Sequence, residues 1–344
     1  MTATTQPALL IWGAGAIGGT IGAYLARAGE DVLLVDTAAD HVAAMRAEGL
    51  AIEGPIETFT VPVHAALPAE VSGRFARILL CVKAHHTEAA TRALLPHLAP
   101  GGYIASFQNG LNELVIGAIA GPENVVGAFV NFGADYLSPG RILYGGRGAC
   151  VIGEVDGTIT PRVEALQGML TRFEPEAMVT DDIVAYLWGK LGYGALLFAT
   201  ALTDDSIADV LADDTHRAVL VATAREAMAV AAACGIAPRG FNGFDPAAFA
   251  PGGAAAAVAA SMAAMVAHNR RSAKSHSGIW RDLAIRKRRT EVDAQLGPVV
   301  AQGEAAGVPT PVTRRLITLI HAVEDGQPLA QANLAELAGA MGAA

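Results

Sequence analysis

The stretch Ala8-Leu9-Leu10-Ile11-Trp12-Gly13-Ala14-Gly15-Ala16-Ile17-Gly18 decides the fold. Ala8 to Trp12 is a short, unbroken apolar run, as in a parallel strand covered on both faces. A Gly-x-Gly-x-x-Gly turn follows it. Ile17 to Arg27 then has helical spacing and stops near Gly29, and Asp31 to Asp36 reads as a second strand. A glycine turn between strand and helix is the setting the dinucleotide fingerprint requires. Gly13 permits the tight turn, Gly15 lets the backbone approach a pyrophosphate, and Gly18 lets the helix pack close to the sheet. The helix N-terminus offers unpaired N–H groups and a partial positive charge to phosphates. Gly13, Ala14, Gly15, Ala16, Ile17 and Gly18 are therefore the expected pyrophosphate cradle. Asp36 closes the second strand. A carboxylate there accepts hydrogen bonds from ribose hydroxyls and repels a 2′-phosphate, so NAD(H) is expected over NADP(H). Capping of the next helix is the alternative role for Asp36, and the two roles are compatible.

Outward from this motif the alternation continues. Ala39 to Glu48 reads as a helix stopped at Gly49, Ile78 to Val82 as a buried strand, Thr87 to Leu98 as a helix, and Tyr103 to Phe107 and Val125 to Phe129 as strands. That pattern predicts a Rossmann-type, doubly wound α/β domain. Arg141 to Glu154 reads as a hairpin or short added strands around Gly145 to Gly148. Beyond Asp181 the strand signals fade. Ile183 to Leu202, Ala218 to Ala233, Ala254 to His268, Asp282 to Ala306 and Val312 to Glu324 all read as helices. The expected division is residues 1–180 for the dinucleotide-binding domain and 181–344 for a mainly helical domain for substrate and dimerisation.

The bulk numbers fit two globular domains. The chain has 344 residues, 52% hydrophobic and 17% charged, with a net charge of −9. This charge argues against nucleic acid as a partner. The local basic run Arg286-Lys287-Arg288-Arg289 has no aromatic interleaving and reads as a solvated helix face or a subunit contact. Three scattered cysteines, Cys81, Cys150 and Cys234, lack metal-ligand spacing and suggest reduced thiols in a cytoplasm-like compartment. The most apolar stretch, Ala195 to Leu202, spans about eight residues, short of the roughly 20 that a membrane span needs. His85 and His86, placed on a strand end, are expected to point apart, and no metal site is expected.

With the fingerprint in place, the chain resembles the ketopantoate reductase (2-dehydropantoate 2-reductase) family over most of its length. The carriers are Gly13 to Gly18, Val82-Lys83, Gln108-Asn109-Gly110-Leu111, Gly153-Glu154, Trp188-Gly189-Lys190, Asp282, Thr290-Glu291-Val292-Asp293 and Pro309-Thr310-Pro311. The resemblance implies a Rossmann domain for NADPH and a helical domain that closes over it, with substrate between them. It implies that Lys190 is the general acid toward a 2-oxo group, that Glu291 lines the same site, and that Lys83 and Asn109 lie near the nicotinamide. Lys190 also has a case of its own. Hydride transfer to a ketone leaves negative charge on oxygen, and a nearby ammonium stabilises it and supplies the proton. A lysine set in an apolar helix is costly without a purpose, although snorkelling is the plain alternative. For Glu291 the plain alternative is an ion pair with the adjacent basic run.

Four departures separate this chain from the family pattern. Asp36 stands where a basic residue usually holds the 2′-phosphate. Gly194 and Phe198 replace asparagines four and eight residues after the lysine. Gly278 replaces a serine that binds the substrate carboxylate. The segment from Asp282 to Glu291 is one residue longer than usual. Phe198 and Trp280 are open to two readings, core packing or an apolar pocket wall. Ser277, His276 and Arg281 are candidates for the lost carboxylate contact, Arg281 through a bidentate fork. The expected function is NAD(H)-dependent interconversion of a 2-oxo acid or related ketone with its hydroxy compound, in a homodimer. NADPH-dependent ketopantoate reduction is the alternative within enzymes. A non-catalytic, NAD(H)-binding redox sensor is the alternative outside them.

Overall fold

The computed structural model describes residues 8–272 and 275–342. They form two compact units, one running through Ile183 and the other starting at Val184.

The N-terminal unit contains strands β1 (Leu9–Trp12), β2 (Val32–Val35), β3 (Leu50–Glu53), β4 (Phe59–Val61), β5 (His64–Ala66), β6 (Phe75–Leu80), β7 (Leu98–Ser106), β8 (Val125–Val130), β9 (Gly133–Ser138), β10 (Arg141–Gly146), β11 (Cys150–Glu154) and β12 (Met178–Val179). Its helices are α1 (Ala16–Arg27), α2 (Ala39–Glu48), α3 (Thr87–Leu94), α4 (Asn112–Ala120) and α5 (Pro161–Leu170). The main sheet has the order β12-β11-β8-β7-β6-β1-β2-β5. It is parallel from β8 through β5, and β11 returns antiparallel to β8. Successive residues of β1 enter opposite layers. Leu9 and Ile11 join one core cluster, Leu10 and Trp12 the other. Helices cover both faces, which is why β1 reads as an unbroken apolar run rather than an alternating one. The strand order reverses next to β1, so the glycine loop lies at the switch point where ligands gather in such sheets.

The second sheet, β4-β3-β10-β9, is not announced by the sequence. Helix α1 packs between it and the main sheet. A Cβ on Gly19 would lie 2.3 Å from Ile142 of β10, and one on Gly22 would lie 2.6 Å from Leu34 of β2. Of the two readings of Arg141 to Glu154, the structure has the added strands: β10 ends at Gly146, and Arg147 to Ala149 lead the chain to β11 in the main sheet, whereas the antiparallel hairpin is β9–β10, turning at Pro139-Gly140.

The C-terminal unit is helical: α6 (Ile183–Thr200), α7 (Ile207–Ala212), α8 (Arg217–Ala233), α9 (Pro246–Phe249), α10 (Ala255–Arg271), α11 (Gly278–Ala284), α12 (Val292–Ala306), α13 (Pro311–Glu324) and α14 (Gln331–Ala338). The single helix expected from Asp282 to Ala306 is two. Lys287 has φ 49°, a left-handed backbone that stops α11 before α12 begins. The basic run therefore lies outside any helix. Arg286 and Arg288 pair with Asp282, and Arg289 pairs with Glu324 and Asp325. Helix α6 is longer than the stretch marked in the sequence. It has the length and composition of a membrane span, but 72% of it is buried within the protein, as in a core helix. The three cysteines are free thiols, and burial pushes Cys150 up to about 12.

Candidate active site

Gly13 has φ 103°, and a Cβ there would lie 2.8 Å from the backbone of Cys81 and Val82. A Cβ on Gly18 would lie 2.1 Å from the Gly13 carbonyl oxygen. A Cβ on Gly15 would meet nothing within 4 Å. The space above Gly15 at the start of α1 is thus a cradle for a group that approaches the backbone. The first-turn N–H groups of α1, at Ala16, Ile17 and Gly18, have no intrahelical partner by geometry. These are the features a pyrophosphate requires, and the residues fit a bound dinucleotide.

Two side chains fix this loop. Asp36 accepts a hydrogen bond from the Ala14 N–H (3.0 Å) on one oxygen and from the Ala38 N–H (3.0 Å) on the other. Its bond to Ala38 ties down the chain entering α2, but the N-cap residue of that helix is Ala38 and has no side-chain cap, so the capping role expected for Asp36 is corrected. A carboxylate has about four lone-pair sites, and two remain for ribose hydroxyls. His41, on α2, is buried. Its Nδ1 accepts from the Gly140 N–H (2.9 Å), and its Nε2 lies 2.9 Å from the Ala14 carbonyl. A carbonyl only accepts, so Nε2 carries the proton and donates. Both backbone groups of Ala14 are therefore held from outside the loop. No sequence signal singles out His41 beyond its place on the helix after Asp36.

Lys83 and Asn109 follow the C-terminal ends of β6 and β7, next to the glycine loop. Both side chains are exposed. The two loops are joined by a buried polar network. Gln108 donates to the Val82 carbonyl and to Thr87, Thr87 donates to Asn112, and Asn112 donates to the Asn109 carbonyl. The expectation for His85 and His86 is corrected. They sit on a short 3₁₀ turn, not a strand end, and their Nε2 atoms are 3.0 Å apart. Among the described residues no group of three metal-ligating side chains includes them.

In the C-terminal unit, the segment Trp188-Gly189-Lys190 is set by packing. Trp188 is buried, and a Cβ on Gly189 would lie 1.9 Å from the Arg239 carbonyl oxygen. Only glycine admits that approach, and Arg239 donates its N–H to Ala185. Lys190 is half-buried. Glu291 is the N-cap residue of α12 and only 7% exposed. Its neighbours are spent on the fold. Thr290 donates twice to Glu324 of α13, at 2.7 Å from both its N–H and its hydroxyl. Val292 is in the core, and Asp293 bonds His321 (2.9 Å). Burial works to raise the Glu324 carboxyl, but Arg289, Thr290 and His321 outweigh it and hold it down at about 2.

The turns that follow Lys190 and Glu291 approach each other. Gly194 lies four residues after Lys190, and Gln295 four after Glu291, with its N–H donating to the Glu291 carbonyl (2.9 Å). A Cβ on Gly194 would lie 3.7 Å from Gln295 Oε1, its one neighbour within 4 Å. Gly194, on the Lys190 face of α6, thus faces Gln295, on the Glu291 face of α12.

The remaining candidates divide. The Ser277 hydroxyl caps α11 by accepting from the Trp280 N–H (3.1 Å). Arg281 is one turn further on and partly exposed. Trp280 donates its indole N–H to Asp204 (3.1 Å), and its ring lies against His276 at 4.0 Å. Phe198 is fully buried, which favours the core-packing reading. Glu154 of Gly153-Glu154 forms a buried, two-pronged ion pair with Arg162 and accepts from Thr160.

A doubly wound sheet with this glycine loop, followed by an all-helical unit carrying an internal lysine, defines a Rossmann-type oxidoreductase. The comparisons narrow the class to enzymes acting on a CH–OH/C=O group. The family model for ketopantoate reductase PanE/ApbA matches residues 9–157, and that for its C-terminal part matches residues 182–324. The 2-dehydropantoate 2-reductase of Mesorhizobium japonicum is 31% identical over 251 residues, covering 66% of this chain and 77% of that one. That of Archaeoglobus fulgidus is 29% identical, covering 92% and 97%. Among solved structures, a PanE/ApbA family ketopantoate reductase from Ralstonia eutropha superposes with a TM-score of 0.78 at 29% identity, covering 92% of this chain and 98% of that one. D-mandelate dehydrogenase, in a ternary structure with NADH and anilino(oxo)acetate, shares the fold with a TM-score of 0.79 at 23% identity and the same coverage. The chain belongs to the ketopantoate reductase family.

Proposed function

We propose that this protein is an NAD(H)-dependent oxidoreductase that interconverts a 2-oxo acid, or a related ketone, with its hydroxy compound. The observation that carries the cofactor preference is the Asp36 carboxylate, held by the Ala14 and Ala38 N–H groups. Fixed this way it does not swing aside, and a 2′-phosphate brought to the end of β2 meets its charge. The cradle at Gly13 to Gly18 would hold the pyrophosphate, and Lys83 and Asn109 would lie toward the nicotinamide. When bound, the nicotinamide supplies or accepts the hydride. Lys190 stabilises the developing oxyanion and delivers the proton from Nζ, or receives it in the reverse direction. Glu291 shares that part of the site, and Ser277 and Arg281 are the proposed carboxylate contacts. We further propose a cytoplasmic homodimer whose partner is a small carbonyl or alcohol substrate, neither nucleic acid nor membrane.

The names of the relatives favour one other reading, reduction of 2-dehydropantoate, with NADPH as the cofactor that the family resemblance implies. Initial rates with NADH and NADPH, each against ketopantoate and a panel of 2-oxo acids, separate the two. Faster NADH-linked turnover of another 2-oxo acid is the expected result, and NADPH-linked ketopantoate reduction as the dominant activity overturns it. Lys190→Ala should lower kcat on the order of 10²- to 10⁴-fold while NADH still binds. Unchanged kcat removes Lys190 from the mechanism.

A further inference from the structure

Gln295 is 9% exposed. Among the described residues its side-chain amide makes no hydrogen bond. A buried amide with no partner is uncommon, because desolvation is uncompensated. The amide is not sealed off either. The Tyr103 and Tyr144 hydroxyls are closed to water without a partner, and the Gln295 amide is not in that condition. It therefore faces a space that water or a ligand enters. Its oxygen lies over Gly194, where the absence of a side chain leaves α6 bare. This position is one turn from Lys190 on one side and one turn from Glu291 on the other. An amide both donates and accepts, so it suits a hydroxyl or an amide better than an alkyl group.

We infer that Gln295 is a specificity-determining residue that reads a hydrogen-bonding group on the substrate beyond its 2-oxo acid function. The inference rests on the functional reading above and narrows its substrate class. The room over Gly194 admits that part of the substrate, and the Gln295 amide gains there the partner that the protein does not supply. Recognition of this kind discriminates strongly, since an analogue without the group leaves the amide unpaired.

The test uses matched 2-oxo acids that differ by one hydroxyl: 2-oxobutyrate against 4-hydroxy-2-oxobutyrate, and trimethylpyruvate against ketopantoate. The readout is the ratio of kcat/KM within each pair, for the wild type, Gln295→Leu and Gln295→Glu. Gln295→Leu is close in shape, and Gln295→Glu keeps both shape and acceptor. Far-UV circular dichroism and Tm confirm that each variant is folded. In Gln295→Leu the preference for the hydroxylated member should fall on the order of 10²-fold, through KM more than kcat. In Gln295→Glu it should fall less. A ratio that stays the same in both variants overturns the role of Gln295 while leaving the functional reading in place. A wild-type protein that turns over no 2-oxo acid with either cofactor overturns both.

Discussion

At Ala14 both backbone groups are held, the N–H by Asp36 and the carbonyl by His41. At Gly194 there is no side chain, and the nearest atom to a Cβ would be Gln295 Oε1 at 3.7 Å. The first place belongs to the glycine loop whose geometry fits a phosphate, the second to the helix face beside Lys190. A phosphate is read by backbone N–H groups, so the fold itself must be correct to a fraction of an ångström, and every neighbour restrains it. A substrate's distinctive groups are read by side chains standing on rigid helices. Those side chains change without moving the helices. One region is therefore pinned and the other gapped, and a family can keep its reaction while changing its substrate.

The pinned region should break hardest. In Gly18→Ala the new methyl would sit 2.1 Å from the Gly13 carbonyl oxygen and 2.8 Å from the Cys81 Cβ, so the turn must move. Overpacking against backbone costs about 1–3 kcal/mol. The displaced turn also carries the cradle. Urea unfolding should show that loss, and NADH fluorescence titration should show binding weakened on the order of 10²-fold or more. Stability and affinity close to wild type in this variant would mean the loop is not pinned.

The ends of α12 and α13 form a restrained corner within the otherwise gapped unit, and it should respond to pH. The folded Glu324 carboxyl lies at about 2, below its ordinary 4.5. Its contribution is complete above the ordinary value and is lost as pH falls from there toward about 2. Burial opposes protonation of His321, but Glu324 and Asp293 outweigh it and raise its pKa above 6.5. Its contribution is complete below 6.5 and is lost as pH rises past the folded value. The corner is therefore firmest between the two. Glu324→Gln should remove on the order of 2 kcal/mol of the acid-side dependence. Denaturation midpoints from pH 3 to pH 8 check this. A wild-type acid limb that survives in the variant would show that other carboxylates carry it.

Much of the pinned region was legible because its signals are local. The run Ala8 to Trp12, the glycines and Asp36 lie close together in the sequence. His41 escaped notice because its partners, Ala14 and Gly140, lie far from it in sequence, and Gly140 belongs to a sheet whose parallel β3–β10 pair joins distant segments. The break between α11 and α12 was hidden for a related reason. Arginine and lysine favour helix, and what ends the helix is tertiary: Arg289 reaching Glu324, and the left-handed Lys287. Gln295 had a signal of a kind, four residues after Glu291 on one helix face, but its meaning depends on Gly194 lying opposite.

Between these two effects and the last lies Asp36, whose carboxylate holds the loop and on the proposed reading also meets the ribose. Asp36→Ala should lower the preference for NADH over NADPH by about tenfold, close to 1.4 kcal/mol. It should also weaken NADH binding by freeing the Ala14 N–H. Dissociation constants for both cofactors in one buffer check both effects. If the ratio stays the same while both affinities fall, Asp36 holds the loop and does not select the cofactor.

The smallest effect should come from the gap itself. In Gly194→Ala the methyl meets only Gln295 Oε1, at an ordinary van der Waals distance. Alanine within a helix interior is favoured over glycine by about 1 kcal/mol, so Tm should rise by a few degrees, not fall. The same methyl narrows the space that Gln295 faces. The expected signature is a more stable protein with a higher KM for its best substrate and an unchanged affinity for NADH. A fall in Tm would mean that the space over Gly194 is already filled by packing. A rise in Tm with KM unchanged would mean that the space is real but lies off the substrate's path. Only the combination of raised Tm and raised KM fits a helix face left bare for a ligand, in contrast to Gly18, where the fold leaves no room for the same methyl group.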